Sequence, residues 1–190
     1  MTTIAAVKKN GSISISCDSR ISIGSQIVGQ DIKCHQKIIK IGQSFIGLSG
    51  YTCYDQMVRI YLSHRKRPSL ASDVEIMKYF IAFWKYAKKE LSIVNDQAGN
   101  VKTPFLSLGS VFLIANSTGI YCVFDNLSVL KYEKYYAIGS GSEYALGSIS
   151  ANYDTKKTAD QISRAAIGSA MEFDKNTGGE IITFAAKASG

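Results

Sequence analysis

The chain has little of what most catalytic sites are built from. Histidine occurs only twice, at His35 and His64, and neither lies in an HExxH or Cys/His array. That excludes the common zinc sites and leaves a Ser-His-Asp triad poorly supplied, so no metal and no cofactor are expected. Four cysteines, Cys17, Cys34, Cys53 and Cys122, stand far apart with no CxxC pair. Each lies in an apolar or strand-like stretch, so buried reduced thiols and a reducing compartment are expected. No run approaches the roughly 18 apolar residues of a membrane span. The N-terminus also lacks a basic region followed by a long apolar one, so no membrane is expected as a partner and the expected location is cytoplasmic. The phosphate-cradling pattern G-x-x-x-x-G-K-[ST] is absent. Two other glycine motifs fall short. Gly139-Ser140-Gly141 begins like a dinucleotide loop but meets Tyr144 where glycine is required, and Gly47-Leu48-Ser49-Gly50-Tyr51 lacks the spacing of a nucleophile elbow.

What is present describes a globular protein. Of 190 residues, 46% are apolar and 19% charged, enough for one domain, residues 1–190, with a sizeable core. The net charge of +7 comes from 22 basic and 15 acidic residues spread along the chain. The densest basic run, His64-Arg65-Lys66-Arg67, precedes Pro68 and reads as a solvated helix end, where cations complement the helix dipole, rather than as a nucleic-acid patch.

Hydrophobic periodicity divides the chain into strands, two helices, strands, two helices and one strand. Ile4 to Val7 and the alternating residues 12–16 flank Asn10-Gly11, a dipeptide suited to a primed hairpin turn. Residues 21–36 read as an irregular strand or loop, and 37–41 and 44–50 as two more strands of the opening sheet. A helix from about Thr52 to Pro68 carries the stripe Met57, Ile60, Tyr61 and Leu62. Ser72-Asp73-Val74-Glu75 is a capping box, and Ile76, Phe80, Phe83, Trp84, Ala87 and Leu91 recur behind it at helical spacing. Residues 95–104 read as a surface loop. Strands at 110–115, 119–124, 128–132 and 135–138 look like an antiparallel meander. A helix over 143–152 follows, and a second capping box at Thr158-Ala159-Asp160-Gln161 opens a helix to Phe173. A final strand spans 180–186. This order predicts two stacked antiparallel sheets with helices on both outer faces, an α+β, four-layer α-β-β-α sandwich.

The hairpin brings the start of its first strand beside the end of its second, so Thr2 and Asp18 are predicted neighbours. If Met1 is removed, Thr2 carries a hydroxyl and a free α-amine on one residue, the minimum for an N-terminal nucleophile. An α-amine titrating at about 7.7–8.0 can accept the hydroxyl proton near neutral pH. A lysine held by a carboxylate would offset the developing charge, and Asp18 and Lys37 are placed for that. With Met1 retained, Thr2 is an ordinary strand residue; the chemistry alone leaves both readings open.

Six segments carry a resemblance. Thr2-Thr3-Ile4, Asp18-Ser19-Arg20, Lys37-Ile38-Ile39-Lys40-Ile41, Gly47-Leu48-Ser49-Gly50, Ala137 to Ala145 and Asp174-Lys175-Asn176-Thr177-Gly178-Gly179 occur in the order found in proteasome β-subunits. The chain is equally similar to the bacterial HslV peptidase at its start and around Tyr144-Ala145-Leu146. The resemblance implies the four-layer Ntn-hydrolase fold and a threonine-type endopeptidase acting on unfolded polypeptides inside a homo-oligomeric ring, with a separate ring ATPase supplying unfolding. It implies Thr2 as nucleophile, its amine as base through a water, and Asp18 accepting from Lys37. Gly50 would give the oxyanion N–H, Ser140 would bond the terminal amine, and Asp174 and Thr177 would support the threonine. Ser22 and Ser49 would pair with substrate backbone, and Ile21, Leu48 and Thr52 would shape an apolar pocket for the residue before the scissile bond. The separation of Asp18 from Lys37 is three residues longer than the family's usual one, and Lys33 is a rival. Thr177 replaces the family's more frequent serine. Met1 alone precedes Thr2, as in HslV-like chains. The competing readings are a non-catalytic ring-forming or scaffold subunit, with a broken active-site set, and a small-molecule Ntn amidase, which would be a monomer or dimer.

Overall fold

The computed structural model describes residues 2–23, 26–28, 36–63, 68–91 and 108–188. The opening hairpin pairs β1 (Thr3–Lys9) with β2 (Ser12–Asp18) through Asn10 and Gly11, both at positive φ as a primed turn demands. β10 (Tyr135–Gly139) flanks β1 and β11 (Ile181–Lys187) flanks β2, giving a four-stranded antiparallel sheet in the order β10-β1-β2-β11. The second sheet runs in chain order through β5 (Ile38–Ile41), β6 (Ser44–Gly50), β7 (Ser110–Asn116), β8 (Gly119–Val123) and β9 (Val129–Tyr132). A separate two-stranded hairpin, β3 (Ile21–Ile23) with β4 (Gln26–Val28), follows β2.

Two sequence expectations change here. The strands at 37–41 and 44–50 do not extend the opening sheet; they begin the second one. The expected four-strand meander keeps only β7, β8 and β9, because β10 crosses over to pair with β1 in the register Thr3↔Gly139. Both errors have one cause. Consecutive strands pair locally by default, and strands sandwiched between two apolar layers carry no mark of which sheet they join.

The four layers are visible in who buries whom. Ile4, Ala6, Ile13, Ile15 and Cys17 of the first sheet face Phe45, Leu113, Ala115, Ile120 and Cys122 of the second. The sheets approach so closely at Gly47 that a Cβ there would stand 2.9 Å from Ile4 side-chain atoms. On the outer face of the first sheet, Ala5, Val7 and Ala137 pack on α3 (Ser142–Asn152) and α4 (Ala159–Phe173) through Ala145, Ile149, Ile162 and Ala166. The alternating serines of β2 are not solvent-facing. Ser14 and Ser16 are fully buried and bond the Ser163 hydroxyl of α4 at 2.9 and 2.8 Å, the pairing that makes buried hydroxyls tolerable.

The outer face of the second sheet is covered by α1 (Cys53–Ser63) and α2 (Asp73–Glu90) with large aromatics. Phe80, Phe83 and Phe112 are fully buried, each worth about 1.5–3 kcal/mol of transfer free energy. The buried stripe of α1 is Tyr54, Val58 and Tyr61; Met57 and Leu62 are partly buried, and Ile60 is 41% exposed, one position off the predicted face. Leu91 caps the end of α2 and is only half-buried. Ser72 accepts the Glu75 N–H, but the Glu75 carboxylate turns to the Ala71 N–H and the Ser69 hydroxyl, so only half of the predicted capping box forms. The box at Thr158 and Gln161 is complete. Phe173, the last residue of α4, is 67% exposed and packs on Tyr144. The run 64–67, the loop 95–104, His35, Cys34 and Lys33 lie outside the described residues. No described helix is long and apolar enough to cross a membrane.

Candidate active site

The start of β1, the end of β2, the end of β6 and the start of β5 converge at one end of the sandwich. Thr2 lies on a small cleft with Arg20, Ile21, Ser22, Lys37, Leu48, Gly50 and Thr52. The hairpin register sets Thr3, not Thr2, opposite Asp18: Ile4 pairs with Cys17, and the Thr3 N–H donates to Asp18 Oδ1 at 3.0 Å. Thr2 stands one residue further out, at the cleft.

Asp18 is fully buried and accepts four hydrogen bonds. Its Oδ1 takes Thr3 N–H and Lys37 Nζ, the latter at 2.8 Å. Its Oδ2 takes the N–H groups of Gly178, at 3.0 Å, and Arg20, at 3.2 Å. A buried carboxylate surrounded by donors and one ammonium has its desolvation offset on every lone pair. Lys37 is itself only 4% exposed, and burial lowers its pKa below the ordinary 10.5 while Asp18 pulls back the other way. Despite the longer spacing between Asp18 and Lys37, the ammonium reaches the carboxylate. Cys17, next to this pair, has its thiol pushed up to about 12 by burial, and burial does the same at Cys122. Cys53 departs from the expected burial: it is exposed at the start of α1.

A second network lies on the other side of Thr2. Gly139, at φ 100°, turns β10 into the following loop so that the Ser140 N–H donates to the Thr2 carbonyl at 2.9 Å. A Cβ at Gly139 would collide with that carbonyl, so only glycine fits the approach. The Ser140 and Thr177 hydroxyls both donate to Asp174 Oδ2 at 2.6 Å, and Asn176 donates twice to Oδ1 at 3.1 Å. Burial would raise the Asp174 pKa, but these donors outweigh it and hold the carboxyl below its ordinary 3.8. Thr177 also shares a 2.6 Å hydrogen bond with the Thr3 hydroxyl, which accepts the Gly141 N–H.

The structure thus gathers Thr2, Asp18, Lys37, Gly50, Ser140, Asp174 and Thr177 around one end of the sandwich, and places Ile21, Ser22, Leu48 and Thr52 on the cleft. Ser49 is the exception. Strand alternation turns its hydroxyl from the cleft lining toward Gly139, 3.3 Å from where a Cβ on that glycine would stand. Sequence reasoning missed Thr3 and Gly178, which support Asp18 and Thr177, and Arg20, whose guanidinium lies over Gly178 and donates to the Lys175 carbonyl. All three fall inside motifs quoted for the resemblance, but nothing in residue type distinguishes them; only the meeting of β2 with the loop after α4 does. Among the described residues no cluster of His, Cys, Asp and Glu could hold a metal ion.

No family model matches the chain. A protein of Caulobacter sp. (strain K31) described as ATP-dependent protease subunit HslV is 28% identical over 184 residues, 95% of this chain and 91% of its own length. Two structures of BPH from Thiobacillus denitrificans, one in complex with epoxomicin, superimpose with TM-scores of 0.91 and 0.90 at 28% identity. They cover 100% and 99% of this chain and equal shares of their own. HslV from Trypanosoma brucei, at 19% identity and a TM-score of 0.68 over 98% of this chain and 99% of its own, shares the fold.

Proposed function

We propose that the chain, HslV-like by fold and by sequence, is a threonine-type endopeptidase subunit of the Ntn-hydrolase class with Thr2 as nucleophile. One observation carries the reading: Thr2 and a buried lysine neutralised by Asp18 face the same cleft as the Gly50 backbone.

In this mechanism Met1 is removed and the freed α-amine of Thr2, acting through a water, takes the hydroxyl proton. Thr2 Oγ attacks the peptide carbonyl carbon while the Lys37 ammonium lowers the cost of the alkoxide. The carbonyl oxygen becomes an oxyanion held by the Gly50 N–H, a donor of a kind worth about 2.7–4 kcal/mol elsewhere. The proton passes to the leaving nitrogen, the C–N bond breaks, and an ester remains on Thr2. Water, deprotonated by the same amine, attacks the ester; the acid leaves and Thr2 recovers its proton. Ser140 and Asp174 steady the amine side, and Ile21, Leu48 and Thr52 favour an apolar residue before the scissile bond. Assembly into a ring, a partner ring ATPase, unfolded polypeptide substrates and a cytoplasmic setting complete the proposal.

The test has two stages. Mass spectrometry of the native chain should show loss of Met1; a chain that keeps it throughout has no free amine and sinks the peptidase reading. Thr2→Ala should then abolish turnover of a fluorogenic peptide while light scattering shows the particle unchanged. Turnover that survives Thr2→Ala means another nucleophile, and a monomer in light scattering removes the ring.

A further inference from the structure

The peptide unit between Thr2 and Thr3 is held at both of its polar ends. Its carbonyl accepts the Ser140 N–H at 2.9 Å, and its N–H donates to Asp18 Oδ1 at 3.0 Å. The two networks that flank Thr2 therefore meet on one peptide group. A third tether comes from the Thr3 hydroxyl, which accepts the Gly141 N–H at 3.1 Å and shares a 2.6 Å hydrogen bond with the Thr177 hydroxyl. Successive amides of the loop after β10 thus grip successive residues at the start of β1: Ser140 the carbonyl of Thr2, Gly141 the hydroxyl of Thr3. The fit is close. A Cβ on Gly141 would collide with Thr3 Oγ1 and stand 2.9 Å from the Ala170 side chain.

Proton counting fixes the direction of every bond in this network. A hydroxyl has one proton to give. Thr177 gives its own to Asp174 Oδ2, and an ionised carboxylate can only accept. In its bond with Thr3, Thr177 must therefore accept, so Thr3 is the donor there and offers its lone pairs to the Gly141 N–H. Ser140 likewise gives its proton to Asp174 Oδ2, at 2.6 Å. The Ser140 oxygen then has only lone pairs left, and toward any further partner it can only accept. An ammonium suits such an oxygen. Thr3, Gly141 and Thr177 are all buried, so without the Thr3 hydroxyl the Gly141 N–H loses its acceptor away from solvent.

We propose that Thr3 is a positioning residue for the Thr2 nucleophile, acting through Gly141 to hold the Ser140 oxygen as the acceptor for the freed Thr2 amine. The proposal rests on the threonine-peptidase reading. Ser140 cannot shift without straining a hydrogen bond to the residue next to the nucleophile, so base and nucleophile keep one geometry. Accepting from the ammonium favours that charged form and raises the pH at which the amine becomes a base. The other titratable and charged groups around Thr2 are Cys17 and Asp18 of β2, Arg20 after it, Lys37 before β5 and Asp174 after α4. Removing the Thr3 hydroxyl changes the charge of none of them.

The experiment follows kcat and KM of the native assembled protein on a fluorogenic peptide across the neutral and alkaline range, beside Thr3→Val and Thr3→Ser. Thr3→Val exchanges the hydroxyl for a methyl of similar size and keeps the main-chain bond to Asp18. Its kcat should fall about ten- to a hundredfold, the scale on which small misplacements act, with KM unchanged. The acid limb of its kcat profile should move to lower pH, because the ammonium has lost its acceptor. Thr3→Ser keeps the hydroxyl and should restore both kcat and the limb. Should Thr3→Val fail to assemble, Thr3→Ala carries the same comparison without setting a methyl against the Gly141 N–H. A Thr3→Val protein with wild-type kcat overturns the proposal. So does a lowered kcat with the acid limb unmoved, which is what a merely structural role gives, or a Thr3→Ser protein as impaired as Thr3→Val. No turnover by wild type, or turnover that survives Thr2→Ala, overturns the peptidase reading instead.

Discussion

The two sides of the cleft are built to different standards. On the side of β1, β2 and the loop after α4, each polar group near Thr2 is fixed by several others: Asp18 by four donors, Asp174 by four, and the Thr3 and Thr177 hydroxyls by each other. On the side of β6 and β3, Gly50, Tyr51 and Thr52 are exposed, and Ile21 and Ser22 sit half-exposed on a two-stranded hairpin. The side proposed to do the chemistry is over-determined, and the side proposed to recognise substrate is lightly held. A nucleophile must keep its geometry within fractions of an ångström, whereas a surface that takes many peptides gains from tolerance.

The contrast can be attacked first at its strongest point. Asp18→Asn leaves the Lys37 ammonium buried without its counter-ion, a change that costs about 3–5 kcal/mol in other proteins. Urea denaturation should show a loss of that order, and turnover should fall by about a hundredfold or more. A stability unchanged by the substitution would mean that the pair is not the anchor of this side.

Titration probes the same side more gently. Turnover should rise with pH as the Thr2 amine loses its proton, about 7.7–8.0 for an unperturbed amine. It should fall again as Lys37 deprotonates, at a pH below the ordinary lysine value of 10.5 because burial lowers it more than Asp18 restores it. An alkaline limb at or above 10.5 would contradict the burial of this ammonium. Stability behaves separately. Asp174 is held below 3.8 in the folded chain, so its contribution is full above that value and is lost only as pH falls through the depressed one.

The smallest effect belongs to the opposite side. Thr52→Ala removes an exposed side chain on the cleft and should change unfolding free energy by no more than about 0.5 kcal/mol. Its consequence should appear in KM for peptides differing before the scissile bond. A large loss of stability would show that the recognition side is as tightly built as the other.

Much of the site was legible because its parts are backbone-local or chemically rare. Asn10-Gly11 fixes the hairpin register, and the register brings Asp18 beside the first residues of β1. Lys37 was legible only through the apolar strand that follows it, with Lys33 as rival; the structure sets the Lys37 ammonium on Asp18, and Lys33 falls outside the described residues. Cys53 was misjudged because a cysteine at a helix start looks the same whether its side chain turns in or out. Ile60 was misplaced because α1 is short, and one residue of error is about 100° of helix face.

The sequence by itself determined the order of elements, the hairpin, the capped start of α4 and the presence of a threonine able to act once its amine is free. Those depend on neighbours within a few residues, where propensity, turn chemistry and capping act. Only the tertiary structure decided which sheet β5, β6 and β10 join, that the serines of β2 are buried against Ser163, and that Thr3 and Gly178 complete the support of Asp18 and Thr177. These are contacts between segments up to 174 residues apart, as Thr3 and Thr177 are. They form because two apolar sheet faces close on each other, and that closure brings together polar groups whose sequence positions carry no trace of the meeting.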